Sequence, residues 1–327
     1  MDYNKYARDI KGMVVDRHKA PILIMMVGLQ GSGKTTLANE IQSCIEICSG
    51  REVHICSSDR IRGQLFGDES VQTNNDEVFN VLHKNIKTIL KGTNVVIYDA
   101  TNVNKKRRKA FLKEVSYIEN LYKLCLCMAV PVEDCKERLL HRKNGVYVTT
   151  EVLMRTYRSW QPPYWDEGWD DIKVVYPDNV SFDNILSILH KFEDYDQGSK
   201  HHSLSLGEHL KKTAELLYEN DQLESIKNCF EVWLSGYLHD IGKPDCRSED
   251  ERGSHYYNHN NTSAYLSLFV EHTDPQTDKI EIANLIYWHM LPYDPHSRKR
   301  LDKIKEEYGD DFYKGLMLLH EADVGAH

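Results

Sequence analysis

An α/β domain with a mainly parallel sheet in three layers, followed by an all-α domain, is the fold this sequence predicts, on three observations. The stretch Gly28-Leu29-Gln30-Gly31-Ser32-Gly33-Lys34-Thr35-Thr36 directly follows the apolar run Ile22 to Val27. Short apolar runs alternate with helical patterns as far as Val175, and from His202 on every pattern is helical. Strands that alternate with helices build a parallel sheet covered on both faces.

Composition sets outer bounds. With 327 residues, 41% of them apolar and 28% charged, the chain has the make-up of a soluble globular protein and room for two domains. No apolar stretch reaches membrane-spanning length and no signal-peptide core follows Met1, so a cytoplasmic protein without membrane contact is expected. The eight cysteines form no C-x-x-C pair and several sit in apolar runs, which reads as buried thiols in a reducing compartment. The net charge of −9 is uneven: residues 1–180 hold 26 Lys+Arg against 23 Asp+Glu, the remainder 15 against 27. The first half tolerates a polyanion; the second needs a metal or local basic groups to do so.

Taken in order, residues 4–18 read as a short charged helix, Ile22 to Val27 as a buried strand, and Thr35 to Ile45 as a helix. Between strand and helix, residues 28–36 fit G-x-x-x-x-G-K-[ST], a P-loop. Side-chain-free Gly28, Gly31 and Gly33, with Ser32, let backbone N–H groups curl around a phosphate at a helix N-terminus. Lys34 reaches the β- and γ-phosphates, and Thr35, followed by Thr36, is placed to ligate Mg²⁺. ATP and Mg²⁺ are therefore the expected cofactors here. Glu52 to Cys56 alternates like a strand and runs into Ser57-Ser58-Asp59-Arg60-Ile61-Arg62. Glu77 to Leu90 is helical, and Asn94 to Asn102 is a buried strand carrying Asp99, an acid suited to Mg²⁺ at a strand end.

The basic run Lys105 to Lys109 opens a helix reaching about Val115; it is either a solvated face or a phosphate contact. Leu121 to Val130 is a strand. Glu133 to His141 and Glu151 to Trp160 are helices bearing Arg138, Arg142, Arg155 and Arg158, and Ile172 to Val175 is the last strand. Phe182 to Phe192 is amphipathic, and the polar, turn-prone residues 194–200 mark a domain boundary. Beyond it, Leu206 to Tyr218, Leu223 to Leu238, Thr262 to Glu271, Lys279 to Met290 and Phe312 to Asp323 have helical spacing, with no strand-like alternation.

The series GLQGSGKTT, SSDRIR, YDATN-x-x-KKRR, the arginine-rich lid and Pro163-x-x-x-Glu167-Gly168-Trp169 resembles the kinase domain of phage-type polynucleotide 5′-kinases over roughly residues 20–177. The resemblance implies that Asp59 is the general base on a 5′-hydroxyl and that Arg62 clamps the acceptor phosphate. It also implies that Arg142, or failing that Arg138, steadies the ATP phosphates, and that Asp99 is the D-x-T-N acid.

In the second half, His209, His239-Asp240, His259, His289 and Asp323 stand out among eleven histidines at or after His201. Adjacent His and Asp closing an apolar helix are costly when buried without partners, and a divalent metal removes that cost. This pattern resembles the HD superfamily of metal-dependent phosphohydrolases, H…HD…D, over about residues 202–327. The resemblance implies His209, His239, Asp240 and Asp323 as ligands of one metal, Asp240 also acting in catalysis, and His259 and His289 as ligands in members with two metals. The metal expected is a transition ion such as Mn²⁺, Ni²⁺, Co²⁺ or Zn²⁺. His202, His255 and Lys243 are secondary candidates for phosphate contact.

Together the resemblances imply a polynucleotide kinase-like domain at 1–180, a linker at 181–201 and an HD domain at 202–327. They imply a bifunctional RNA end-healing enzyme: an ATP-dependent kinase of 5′-OH ends and a phosphohydrolase of 2′,3′-cyclic phosphate or 2′-phosphate ends, linked functionally to an RNA ligase. A small-molecule or nucleoside kinase joined to an HD nucleotide phosphohydrolase, and an ATP switch gating the HD site, are the alternatives.

Overall fold

The computed structural model describes residues 4–326 apart from 18, 70, 72, 93, 143–147, 199–203, 252 and 272–276. Two compact units result, one of residues 1–156 and 167–180, the other of 157–166 and 181–327.

The first unit runs α1 (Asn4–Asp16), β1 (Ile22–Val27), α2 (Lys34–Ser49), β2 (Val53–Ser57), α3 (Ser58–Phe66), α4 (Asn75–Ile89), β3 (Val95–Asp99), α5 (Lys105–Val115), β4 (Tyr122–Met128), α6 (Val132–Leu140), α7 (Thr150–Tyr157) and β5 (Asp171–Val175). The five strands pair in parallel in the order β2-β3-β1-β4-β5. Every residue of β1 is buried because its pleat feeds two cores. Ile22, Ile24 and Met26 pack with Leu37, Ile41 and Ile45 of α2, whereas Leu23, Met25 and Val27 pack with Val78, Leu82 and Ile86 of α4 and with Phe111 of α5. Each such side chain withdrawn from water is worth about 1.5–3 kcal/mol. A strand held this firmly between β3 and β4 fixes the loop that leaves its C-terminal end, at the point where the strand order reverses.

Two features of this unit depart from the sequence reading. Arg108, inside the expected solvated run, is buried: its Nε and Nη2 donate to Glu167 Oε2 and Oε1 at 2.8 and 2.7 Å, and its Nη1 to the Asn102 carbonyl at 2.9 Å. Only Lys106 and Arg107 of that run are exposed. The pairing explains why Glu167 lies buried beside Gly168. Glu167→Ala strands a buried guanidinium and is expected to cost about 3–5 kcal/mol in chemical denaturation of this unit; a loss below 1 kcal/mol would mean that the pair is not sealed from water. Second, the thiols of this unit are not uniformly buried: Cys125, Cys127 and Cys135 are, as is Cys246 of the other unit, whereas Cys48 is exposed; all eight cysteines of the chain are free.

The second unit comprises α8 (Ile185–Lys191), α9 (Leu206–Tyr218), α10 (Cys229–Leu238), α11 (Lys243–Cys246), β6 (Arg247–Asp250), β7 (Gly253–Tyr256), α12 (His259–Leu266), α13 (Lys279–Trp288), α14 (Arg298–Tyr308) and α15 (Asp310–Gly325). Helices α9, α10, α13 and α15 form the packed centre. Residues 181–201, expected as a linker, belong to this unit, as does the segment 157–166: Trp160 and Tyr157 pack edge-on against Tyr265, and Tyr164 stacks on Tyr308 at 4.4 Å. The antiparallel β6–β7 hairpin corrects the expectation of an all-helical region. Its strands are four residues long and mostly polar, so they carry no apolar alternation to read. Helix α14 also escapes periodicity, because Ile304 is its one buried residue. The expected helix Leu223 to Leu238 is a single turn at Leu223–Ser225 and then α10, and α12 starts at His259 rather than Thr262.

Within this unit Glu281 accepts hydrogen bonds from Tyr164 Oη and from Asn228 Nδ2, the latter at 2.7 Å, and burial pushes its carboxyl up to about 7. Between its ordinary value and 7 the folded state holds a proton that the unfolded chain has released, so this group lowers stability as pH rises from about 5 to 7, by about 2–3 kcal/mol. Relative to wild type, Glu281→Gln is expected to remove that decline in a series of denaturant titrations across pH; parallel curves would refute it.

Among the described residues, no helix is long and apolar enough to cross a membrane.

Candidate active sites

The loop at β1 opens into a cleft of about 660 Å³. Gly31 and Gly33 hold φ of 77° and 85°, a left-handed conformation costly for any residue with a Cβ, and Gly33 caps α2. A Cβ on Gly31 would also lie 2.5 Å from the Cys135 carbonyl oxygen. Lys34 lines the cleft with its Nζ folded over the loop, donating to the carbonyls of Gly28 and Leu29 at 3.2 and 2.5 Å and to Ser32 Oγ at 3.4 Å. Burial lowers the Lys34 pKa against the opposing charge of Asp99. Thr35 Oγ1 donates to Asp99 Oδ2 at 2.7 Å, and Asp99, four per cent exposed, has its pKa raised by burial against the opposing Lys34 charge. Hydroxyl and carboxylate oxygens together at a phosphate cradle are hard donors suited to Mg²⁺. Thr36 lines the same cleft.

Helix α3 brings the acceptor-side groups. Ser57, not Asp59, stands at its N-cap, so Asp59 in the first turn is left to face the cleft. Arg62 is buried; its Nη1 donates to Asp59 Oδ1 at 2.7 Å and its Nη2 to Asn75 Oδ1 at 2.9 Å, while Nε has no hydrogen-bond partner among the described residues. Asn75, which holds the guanidinium in place, carries no local signal in the sequence. Arg138 and Arg142 both line the cleft, and Arg138 Nη1 donates to the Gly31 carbonyl at 3.4 Å. Arg158 is elsewhere, donating to the main-chain oxygen of Asp245.

The second unit gathers its histidines and carboxylates into two adjoining buried triads, His209/His239/Asp323 and Asp240/His259/His289. His209 comes from α9, His239 and His289 from the C-caps of α10 and α13, His259 from the start of α12, and Asp323 from α15. His239, His259 and His289 share one local device: Nδ1 donates to the carbonyl three residues back, on Gly236, Tyr256 and Ile286, at 3.0, 2.7 and 2.6 Å. A carbonyl only accepts, so each ring, in the neutral form that binds a metal, turns an Nε2 lone pair inward.

Nε2 of His209 lies 3.1 Å from Nε2 of His239, and the two lie 3.2 and 3.4 Å from Asp323 Oδ1. Nε2 of His259 and of His289 are 3.3 Å apart. Asp240 joins the groups: Oδ2 lies 3.5 Å from both His209 and His239, and Oδ1 lies 3.1 Å from His259 and 3.7 Å from His289. Asp240 Oδ1 is buried without a hydrogen-bond partner among the described residues.

Lone pairs that face each other at these distances repel unless a positive charge lies between them. Ligands about 2.1 Å from one ion lie roughly 3.0–3.4 Å from each other, which is the spacing seen. Imidazole and carboxylate donors suit Zn²⁺, Mn²⁺, Co²⁺ or Ni²⁺, so each triad fits a divalent ion, and the two oxygens of Asp240 face different triads. Among the protein groups alone, burial would lower His209, but hydrogen bonds and charges from Asp240 and Asp323 hold it at about 9. Burial and the charges of His239 and His259 push His289 down to about 3. Burial alone would raise Asp240 and Asp323; the Lys243 and His239 charges outweigh it in Asp240, His239 and the hydrogen bond from His209 in Asp323, and both carboxylates stay ionised.

Gly242 is needed here for close approach, since a Cβ would lie 2.5 Å from the Ser263 nitrogen. Lys243, read from sequence as a phosphate contact, is turned inward onto Asp240 Oδ2 and Gln197 Oε1, each at 2.6 Å. His255 pairs with Asp250 at 2.9 Å on the hairpin, and His202 lies outside the described residues. Tyr293, which donates to Asp323 Oδ2 at 2.8 Å, was not foreseen; it is 30 residues away with no motif around it.

The parallel sheet, the loop at its central strand and the Thr35–Asp99 pair define the first unit as a P-loop, kinase-like nucleotide-binding domain, a fold that implies ATP and Mg²⁺. In agreement, residues 23–163 match the family model of an AAA domain. Solved structures with similarity include Chaetomium thermophilum Kti12 in complex with ADP-AlF3 (21% identity, 48% of this chain and 90% of that one, TM-score 0.41). A gluconokinase from Sinorhizobium meliloti 1021 is 17% identical over 49% of this chain and 83% of its own, with a TM-score of 0.33. A chain of the PezAT toxin-antitoxin system of Streptococcus pneumoniae is 20% identical over 54% of this chain and 80% of its own, with a TM-score of 0.30. No curated protein matches the chain.

Proposed function

We propose that the chain is a bifunctional RNA end-healing enzyme: the first unit phosphorylates 5′-hydroxyl ends with ATP, and the second, of the HD phosphohydrolase type, removes the 2′,3′-cyclic or 2′-phosphate left at the opposite end. The observation that carries this reading is the joint presence of an acceptor-side Asp59–Arg62 pair in a P-loop cleft and of two metal-type triads that share Asp240. Ribonuclease-type cleavage leaves a 5′-OH and a cyclic phosphate, and one chain with both chemistries prepares both ends for an RNA ligase.

In the first unit, Asp59 takes the proton of the 5′-hydroxyl as its oxygen attacks the γ-phosphorus, and the bond to the β-phosphate oxygen breaks to release ADP. Arg62, with Nε unpartnered, holds the acceptor phosphate. Lys34 and Arg142 or Arg138 take up the charge that grows on the transferring group, and Thr35 and Asp99 are the residues that would hold Mg²⁺. In the second unit, His209, His239, Asp240 and Asp323 would hold one divalent ion and Asp240, His259 and His289 another. Such ions supply Lewis acidity to the phosphoryl oxygen and lower the pKa of water. Lys243 keeps the shared carboxylate ionised, and Tyr293 orients Asp323.

The test is a transfer assay with γ-labelled ATP, offered 5′-OH RNA and free nucleosides, alongside hydrolysis of a 2′,3′-cyclic phosphate oligonucleotide by metal-loaded protein. Label on the RNA and loss of the cyclic phosphate are expected. Label on nucleosides alone would replace this reading with that of a nucleoside kinase.

A further inference from the structure

On the other side of Phe79 and Thr101 from the P-loop cleft lies a second cavity of about 230 Å³ that no step above uses; these two residues line both. Four rings, of Phe79, His83, Tyr98 and Phe111, are among its walls. The His83 ring lies 4.3 Å from Phe111, 5.8 Å from Tyr98 and 6.1 Å from Phe79, centroid to centroid, and Tyr98 and Phe111 meet edge-on at 5.2 Å. His83 is fixed by a 3.0 Å hydrogen bond between its Nε2 and Tyr98 Oη. Polar groups stand among these rings, with Asp76 and Asn104 in the lining and the exposed Arg107 on α5.

Building on the kinase reading, we infer that this cavity is the pocket for the terminal nucleobase of the acceptor strand. A hydroxyl presented to Asp59 belongs to a sugar whose base must leave the cleft, and Phe79 is the wall that the cleft and the cavity share. The half-buried rings of Phe79 and His83, backed from the core by Tyr98 and Phe111, suit a π-face of any base, whereas the carboxylate, amide and guanidinium groups meet its polar edge and the strand backbone. A hydroxyl acceptor without a ring, such as a polyol, would leave the aromatic walls uncovered. The kinase unit therefore selects a nucleic-acid end by stacking its first base, without reading its sequence.

The wild-type protein supplies the first test: compare kcat/KM for a 5′-OH oligonucleotide with that for the same strand carrying an abasic 5′-terminal residue. The abasic end is expected to be about tenfold or more poorer, the worth of one base–aromatic stack, through acceptor KM. The second test fills the cavity from its solvent side. Ala110 lines the cavity, is exposed on α5 and takes no part in the chemistry, so Ala110→Phe is expected to raise acceptor KM about tenfold for the intact end. It should leave the abasic end and the KM for ATP unchanged. Equal efficiency on intact and abasic ends, with 5′-phosphorylation otherwise normal, would overturn the pocket and leave the kinase reading standing. Transfer to no oligonucleotide at all would overturn both.

Discussion

Asp59→Asn and Lys34→Ala are each expected to lower 5′-phosphate transfer from ATP about a thousandfold while leaving ester hydrolysis by the second unit unchanged. A positioned general base contributes about 10²- to 10⁴-fold, and the amide keeps an acceptor for Arg62, so the loss in Asp59→Asn is one of proton transfer rather than of the Arg62 geometry. The Asp59 side chain is also 39% exposed and does not cap α3, so folding is spared. On the proposed reading Lys34 acts through charge: its amino group, folded over the Gly28 and Leu29 carbonyls in this structure, would meet the β- and γ-phosphates as an ammonium. Single-turnover transfer of labelled phosphate, with ATP affinity measured separately, separates the two. Wild-type rates in Asp59→Asn would remove this residue from the chemistry.

The second large effect concerns metal content. Asp240→Ala is expected to deplete both ion positions and abolish ester hydrolysis, because its two carboxylate oxygens face different triads. His289→Ala touches one triad and is expected to lower the metal content by about half. Elemental analysis of the purified proteins, with hydrolysis assayed in parallel, reads both. Equal metal loss in the two variants would mean that a single ion is held; wild-type content in Asp240→Ala would mean that the carboxylate is no ligand. Neither variant is expected to alter 5′-phosphorylation.

Much of the first site could be read from the chain because its logic is local. A buried strand, glycines at left-handed positions and the Lys34-Thr35 pair lie within fifteen residues, so their spacing alone dictates a cradle for an anion. Periodicity likewise reported the five parallel strands and most helices, since an apolar face at regular spacing must find a core. The hairpin β6–β7 and helix α14 were illegible for the converse reason: few of their residues enter a core, and they are held by pairing and charge.

The rest depended on distant parts of the chain meeting. Arg108 belonged to a basic run and became a buried residue because Glu167, 59 positions on, meets its guanidinium. Lys243 turned from an expected phosphate contact into the partner of Asp240, and Tyr293 and Asn75 acquired their roles by packing alone. Residue types and short spacings suffice to mark which residues of a segment are candidates for a site. Which oxygen of Asp240 faces which histidine, and which cations are already paired, are set by through-space distances between helices, and those follow from how the cores pack rather than from any local pattern.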